Sequence, residues 1–196
     1  MPDFQQTVGV IGAGTFGTAF ANLLSRRVDV LLFSRNPETV ERINRERTNF
    51  GLKLSPRISA INNVQELAEK CTLIFPVVPS DGFRSTMQRI GPHLRPYHIL
   101  IHGTKGFDIQ GITPEQMDEG LLEPQHVSTM SQVITQETVV RRVGCLSGPN
   151  LATEILEGLD VGRDGQGLPV EQAHAAQAAG GAAAGDAEIV EVVLVP

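Results

Sequence analysis

The 196-residue sequence has no tryptophan, one tyrosine and two cysteines. Cys71 and Cys145 stand alone, with no second thiol or imidazole at metal-ligand spacing. Neither a disulfide framework nor a zinc site is therefore expected, and both read as reduced structural thiols. A basic excess is missing as well: 16 Lys and Arg face 22 Asp and Glu, a net charge of −6. That leaves no cationic footprint for a phosphate backbone and argues against nucleic acid as a partner. Apolar runs such as Leu73–Val78 and Ile99–Ile101 fall far short of the ~18 residues a membrane helix needs, so no membrane span is expected. Met1-Pro2-Asp3 leads directly into a strand-like run without the basic and apolar regions of a secretory signal, and a cytoplasmic protein is expected. The 41% of apolar residues can fill one core of ordinary domain size.

Two further absences divide the chain. Aromatic residues stop at Phe107 and lysine stops at Lys105. Residues 1–158 hold 15 basic and 16 acidic residues, whereas residues 159–196 hold only Arg163 against six acidic residues, with nine Ala and six Gly. Residues 159–196 therefore read as an atypical tail, disordered or loosely packed, because little large apolar surface is present to offset ordering entropy. Within it, residues 160–167 read as linker, 170–184 as weakly helical and 189–195 as β-prone.

Before residue 158, β-prone runs alternate with helical segments. This predicts an α/β fold with a mostly parallel sheet covered by helices. The expected strands are Thr7–Ile11, Asp29–Phe33, Ile58–Ala60, Thr72–Val78, His98–His102 and Val143–Ser147. Helix starts are signalled by Pro37 after Asn36, by Asn63 with Glu66, and by Thr113 with Gln116 around Pro114.

Gly12-Ala13-Gly14-Thr15-Phe16-Gly17 follows the first strand and opens the helix predicted over Thr15–Leu24. Gly12 permits the tight turn, Gly14 lets backbone approach a diphosphate, and Gly17 permits close helix packing. Free amides at the helix start then meet the anion, so residues 1–158 are expected to form a Rossmann-type, doubly wound NAD(P)-binding domain. The second strand ends at Ser34-Arg35 instead of the Asp or Glu that selects NAD. Ser34 can hydrogen-bond a 2′-phosphate and Arg35 can neutralise it, so NADP is expected to bind at least as well as NAD. Val77-Val78-Pro79-Ser80 is expected to line the coenzyme cleft, with Ser80 capping the next helix. His102-Gly103-Thr104-Lys105-Gly106 sets a lysine between glycines at a strand end, where it can bind an anion and transfer a proton. His102 itself reads as a satisfied strand-end histidine. Ser147-Gly148-Pro149-Asn150 ends the last strand, with Asn150 capping a helix over 151–157.

Together Val10–Ala19, Val78-Pro79-Ser80, Thr104-Lys105-Gly106 and Ser147–Ala152 resemble NAD(P)-dependent glycerol-3-phosphate dehydrogenase over about residues 5–158. The resemblance implies reversible reduction of dihydroxyacetone phosphate to sn-glycerol 3-phosphate, joining glycolysis to phospholipid synthesis, and a homodimer for the full-length family. By the same resemblance Thr15, Phe16 and Arg35 contact the coenzyme, and Lys105 touches coenzyme and substrate. Gly148 and Asn150 lie beside the substrate, and Ala152 beside the coenzyme. By the resemblance, the family's second, helical domain brings a further lysine for proton transfer; this sequence has no lysine after Lys105 and reads as a partial chain, and the strand-end Lys105 is its catalytic candidate. Two alternatives remain open: another NADP-linked dehydrogenase of the 6-phosphogluconate or 2-hydroxyacid type, and a dinucleotide-binding fragment without turnover.

Overall fold

A computed structural model describes residues 7–147 and 191–195. The first half alternates strand and helix: β1 (Thr7–Ile11), α1 (Thr15–Leu24), β2 (Asp29–Phe33), α2 (Pro37–Glu46), the short hairpin β3 (Thr48–Asn49) and β4 (Leu52–Lys53), then β5 (Ile58–Ile61) and α3 (Val64–Lys70). There follow β6 (Leu73–Pro76), α4 (Phe83–Ile90), β7 (Ile99–His102), β8 (Phe107–Ile109), α5 (Pro114–Asp118), β9 (Val127–Thr129), α6 (Met130–Glu137), β10 (Arg142–Ser147) and β11 (Glu191–Val195). The helix expected over 151–157, and the tail segments at 160–167 and 170–184, lie outside the described residues.

Among the described residues the main sheet has the order β11-β10-β7-β6-β1-β2-β5. All neighbours are parallel except β11, which runs antiparallel on β10 with Ser147 opposite Glu191 and Val143 opposite Val195. The period-2 alternation of the strands explains why helices cover both faces. Val30 and Leu32 of β2 face α1 and α2, in a core with Phe20 and Ile43, while Leu31 and Phe33 face the other way. That second side packs Leu67 of α3, Phe83, Met87 and Ile90 of α4, and Met130, Val133 and Ile134 of α6. Each fully buried large side chain in these layers contributes about 1.5–3 kcal/mol relative to exposure. The doubly wound Rossmann architecture is thereby present.

Helix starts follow the capping chemistry legible in the sequence. Asn36 accepts from the Glu38 amide at 2.8 Å ahead of Pro37, and Thr113 and Gln116 bond reciprocally to each other's amides. Asn63 accepts from the Gln65 and Glu66 amides, but the Glu66 carboxylate does not return to close the box: it pairs with Lys70 one turn on. The strand expected over Thr72–Val78 is shorter, and Val77 and Val78 belong to the loop beyond it.

The chain runs outward from β1 to β2 and β5, then crosses back to β6, β7 and β10 on the other side of β1. The strand order therefore reverses between β1 and β6. Their carboxyl ends diverge into a crevice, the place where doubly wound sheets receive ligands.

Candidate functional site

At that reversal a cleft of about 280 Å³ is lined by Gly14–Gly17 after β1, Val77–Ser80 after β6, and Gly103–Lys105 after β7. Three sequence-separated segments thus meet as expected from their positions at strand ends.

The glycines of the first segment have separate jobs. Gly12 adopts φ +119°, donates its amide to Phe33 O at 3.1 Å, and would push a Cβ to 2.6 Å from Val77 O. Gly17 meets the turn itself: a Cβ there would lie 1.8 Å from Gly12 O. Gly14 is different, because it faces open space with nothing within 4 Å of a would-be Cβ. It forms the N-cap of α1, which has neither a side-chain cap nor an acidic residue in its first turn. The amides of Thr15, Phe16 and Gly17 therefore lack intrahelical acceptors and form the positive end of the helix dipole, an arrangement that holds an anion.

Phe16 forms one wall. It is half-buried and stacked on Phe20 with centroids 5.9 Å apart, and Phe20 in turn meets Phe75 edge-on. A Cβ at Gly103 would come within 3.2 Å of the Phe16 ring, so the glycine lets the loop after β7 pass beneath the aromatic. That loop is fixed to its neighbour: the Thr104 hydroxyl donates to Val78 O at 2.7 Å. Lys105 rides on it, exposed at the cleft rim, with no hydrogen bond or ion pair among the described residues. Gly106 follows at φ +104°.

His102 lies beneath, not in the cleft. Its Nδ1–H donates to Thr104 O at 3.3 Å, its Nε2 accepts from the Ser131 hydroxyl at 3.0 Å, and Phe83 packs edge-on against the ring. Burial holds the imidazole below its usual pKa of 6.5, partly offset by the Thr104 carbonyl. It therefore anchors the loop as a neutral ring, in agreement with the sequence.

Pro79 lines the cleft, but Ser80 does not cap the helix after it, which corrects the expectation. Residues Ser80–Gly82 form a single 3-10 turn, Gly82 occupies the N-cap of α4 without a side-chain bond, and the Ser80 hydroxyl lies toward Gly106. Ser34 and Arg35 stand apart from the cleft lining, at the end of β2. Phe33 O bonds the Gly12 amide, which places Ser34 one residue from the glycine turn. Ser34 Oγ accepts from the Asn36 amide at 3.3 Å, and Arg35 is exposed with no ion pair among the described residues. Gly148, Asn150 and Ala152 lie outside the described residues. No group of three or more metal-ligating side chains occurs among the described residues, and no described helix is long and apolar enough to cross a membrane.

One contributor was not legible beforehand. Asn49, from the β3–β4 hairpin, is buried and donates to Ala13 O at 3.1 Å, inside the glycine turn, and to Thr18 Oγ1 at 2.8 Å. Asn49-Phe50-Gly51 carries a turn signal, but nothing local shows which partner 31 to 36 residues earlier it reaches.

Comparison with known proteins matches this geometry. The family described as NAD-dependent glycerol-3-phosphate dehydrogenase N-terminus matches residues 7–160. A glycerol-3-phosphate dehydrogenase [NAD(P)+] of Pseudomonas savastanoi pv. phaseolicola is 36% identical over 160 residues, covering 78% of this chain and 42% of that protein. The solved glycerol-3-phosphate dehydrogenase of Coxiella burnetii superposes with a TM-score of 0.62 at 25% identity, over 79% of this chain and 44% of that one. The Saccharomyces cerevisiae enzyme shares the fold at a TM-score of 0.64 and 21% identity, over 78% of this chain and 44% of its own. The chain thus spans about two-fifths of the length of the relatives it matches.

Proposed function

Because the chain belongs to the NAD-dependent glycerol-3-phosphate dehydrogenase family, matched over residues 7–160, we propose that it is the coenzyme-binding part of an NAD(P)-linked dehydrogenase that interconverts dihydroxyacetone phosphate and sn-glycerol 3-phosphate. The observation that carries this reading is the uncapped start of α1, opened by Gly14 in a cleft shared with Lys105. A diphosphate fits there: Gly14 presents backbone without a side chain, and the free amides supply donors that are already aligned. Phe16 offers a flat apolar wall to the coenzyme. Arg35, with Ser34 beside it, is the group for a 2′-phosphate, so NADP is accepted at least as well as NAD.

When bound, the nicotinamide supplies the hydride for the ketone. The chain's own residues bind and orient. Lys105, exposed at the rim while its loop is pinned by Thr104 and His102, meets the substrate phosphate and the carbonyl oxygen, and it is the group able to give a proton to that oxygen as charge develops there. Gly148 and Asn150 are assigned to the substrate and Ala152 to the coenzyme by their match to the family pattern.

A second reading, a coenzyme binder without turnover, is favoured by the cleft lining among the described residues, in which Lys105 is the one ionisable side chain. One experiment separates the two: a calorimetric titration of the purified chain with NADPH and NADH, followed by NADPH oxidation in the presence of dihydroxyacetone phosphate. Binding with turnover supports the dehydrogenase. Binding with no turnover supports the module, and no heat with either coenzyme on folded chain overturns both.

A further inference from the structure

The glycine turn is supported from behind by a side chain that does not reach the cleft. Asn49 is 3% exposed and sits in the two-residue strand β3 between Arg47 and Phe50, both at positive φ (54° and 48°). Its amide hydrogens go to Ala13 O and Thr18 Oγ1, while its Oδ1 accepts from Arg42 Nη2 at 2.9 Å. This pattern fixes the amide's orientation. A carbonyl can only accept and a guanidinium can only donate, so a flipped amide would set like against like on two sides. The hairpin is held independently of Asn49: Asn22 of α1 donates to Lys53 O at 2.9 Å and accepts from the Ser55 amide at 3.0 Å. Asn49 is thereby delivered to the turn by a clamp anchored on the same helix whose start the turn forms.

The carbonyl that Asn49 grips belongs to the peptide joining Ala13 to Gly14. A peptide unit is planar, so holding the Ala13 oxygen sets the direction of the Gly14 N–H at its other end. Gly14 is the residue of the turn with open space above it. From this juxtaposition we infer that Asn49 is a positioning residue for the coenzyme diphosphate, acting through the Ala13–Gly14 peptide and touching no ligand itself. The inference rests on the proposed coenzyme site and deepens it. Flanking glycines leave the turn free to rotate this peptide, and a single hydrogen bond from a rigidly held donor removes that freedom before the ligand arrives.

The test uses the whole chain, with NADPH as the probe, read by titration and by 31P NMR of the bound diphosphate. Asn49→Asp keeps the shape and the Arg42 partner but replaces the donor nitrogen with a carboxylate oxygen, which opposes the Ala13 oxygen while the Thr18 hydroxyl can still donate to it. Asn49→Ala removes all three bonds. Both variants are expected to melt cooperatively, to bind NADPH at least tenfold more weakly, and to show diphosphate resonances displaced from those of the wild-type complex. Thr18→Val, which removes the other acceptor but leaves the Ala13 bond, is expected to lower the melting temperature while retaining the wild-type resonances. Folded Asn49 variants with wild-type affinity and resonances would overturn the inference. So would failure of both to fold, since Asn49 would then be a determinant of folding and not of the site. A wild-type chain that leaves the NADPH resonances unmoved would instead defeat the coenzyme reading itself.

Discussion

Alanine at Gly14 and alanine at Gly17 are chemically the same change three residues apart, yet they should fail in opposite ways. At Gly17 the added methyl would lie 1.8 Å from Gly12 O, where ordinary contact begins at 3.4 Å, and the obstacle is backbone that no side-chain rotation can move. The start of α1 must retreat from the turn. Overpacking of this severity sits at the upper end of its usual range, about 3 kcal/mol, which for a domain of this size lowers the melting temperature by roughly 6–12 °C. At Gly14 nothing lies within 4 Å, and φ −75° with ψ −174° suits any residue. The poorer N-cap and the reduced freedom of the unfolded chain nearly cancel, so the stability change should stay within about 1 kcal/mol. The methyl instead stands between the diphosphate and the amides. Losing one charge-assisted bond costs roughly 1.5–3 kcal/mol, or about 10- to 150-fold in affinity. Thermal melts and NADPH titrations of both variants check the pair. A Gly14→Ala chain that binds normally would show that no anion approaches the turn, and a Gly17→Ala chain that melts normally would refute the packing account.

Arg35→Ala should weaken NADPH more than NADH, by about 1.5–3 kcal/mol in calorimetry, because only the former offers a 2′-phosphate; equal losses would remove that assignment. Lys105→Ala should abolish any turnover with dihydroxyacetone phosphate while leaving the melting temperature within about 1 °C, since the side chain is exposed and unpaired among the described residues; an unchanged rate would leave it a rim residue. His102 should make the fold acid-sensitive. Its folded pKa is lowered, so the unfolded chain takes up the proton first: the stability is whole above about 6.5 and is lost as pH falls below it, at up to ~1.4 kcal/mol per pH unit. Denaturant melts across that range should show the slope in wild type and a flatter profile in His102→Asn; parallel profiles would mean that another group titrates.

The parts of the fold that were legible in advance are those governed by short-range rules. The apolar run of Asp29–Phe33 marked a strand covered on both faces, and the Asn36 and Thr113 caps follow from bonds spanning two or three residues. The glycine turn was legible because its constraint is steric and local. What escaped is non-local. β3 and β4 have two residues each, too short for any period, and the Asn49 bonds to Ala13 and Thr18 depend on how the hairpin lands. Ser80 misled because a serine before a helix is a cap by default, whereas here a 3-10 turn puts Gly82 in that place and leaves the hydroxyl beside Gly106. The network in which Arg84 of α4 joins Asp108 of β8 and Glu137 of α6 was invisible for the same reason, its members being 24 and 53 residues apart.

The contact of Gly17 with the Gly12 carbonyl has a kinetic corollary. Helix and turn abut so closely there that a shift of one must be followed by the other, and with Asn49 holding the Ala13–Gly14 peptide the cradle is set before the anion arrives. Encounter and capture then merge into one event: the association rate is expected to rise linearly with coenzyme concentration, and a plateau at the rate of an internal rearrangement would refute this.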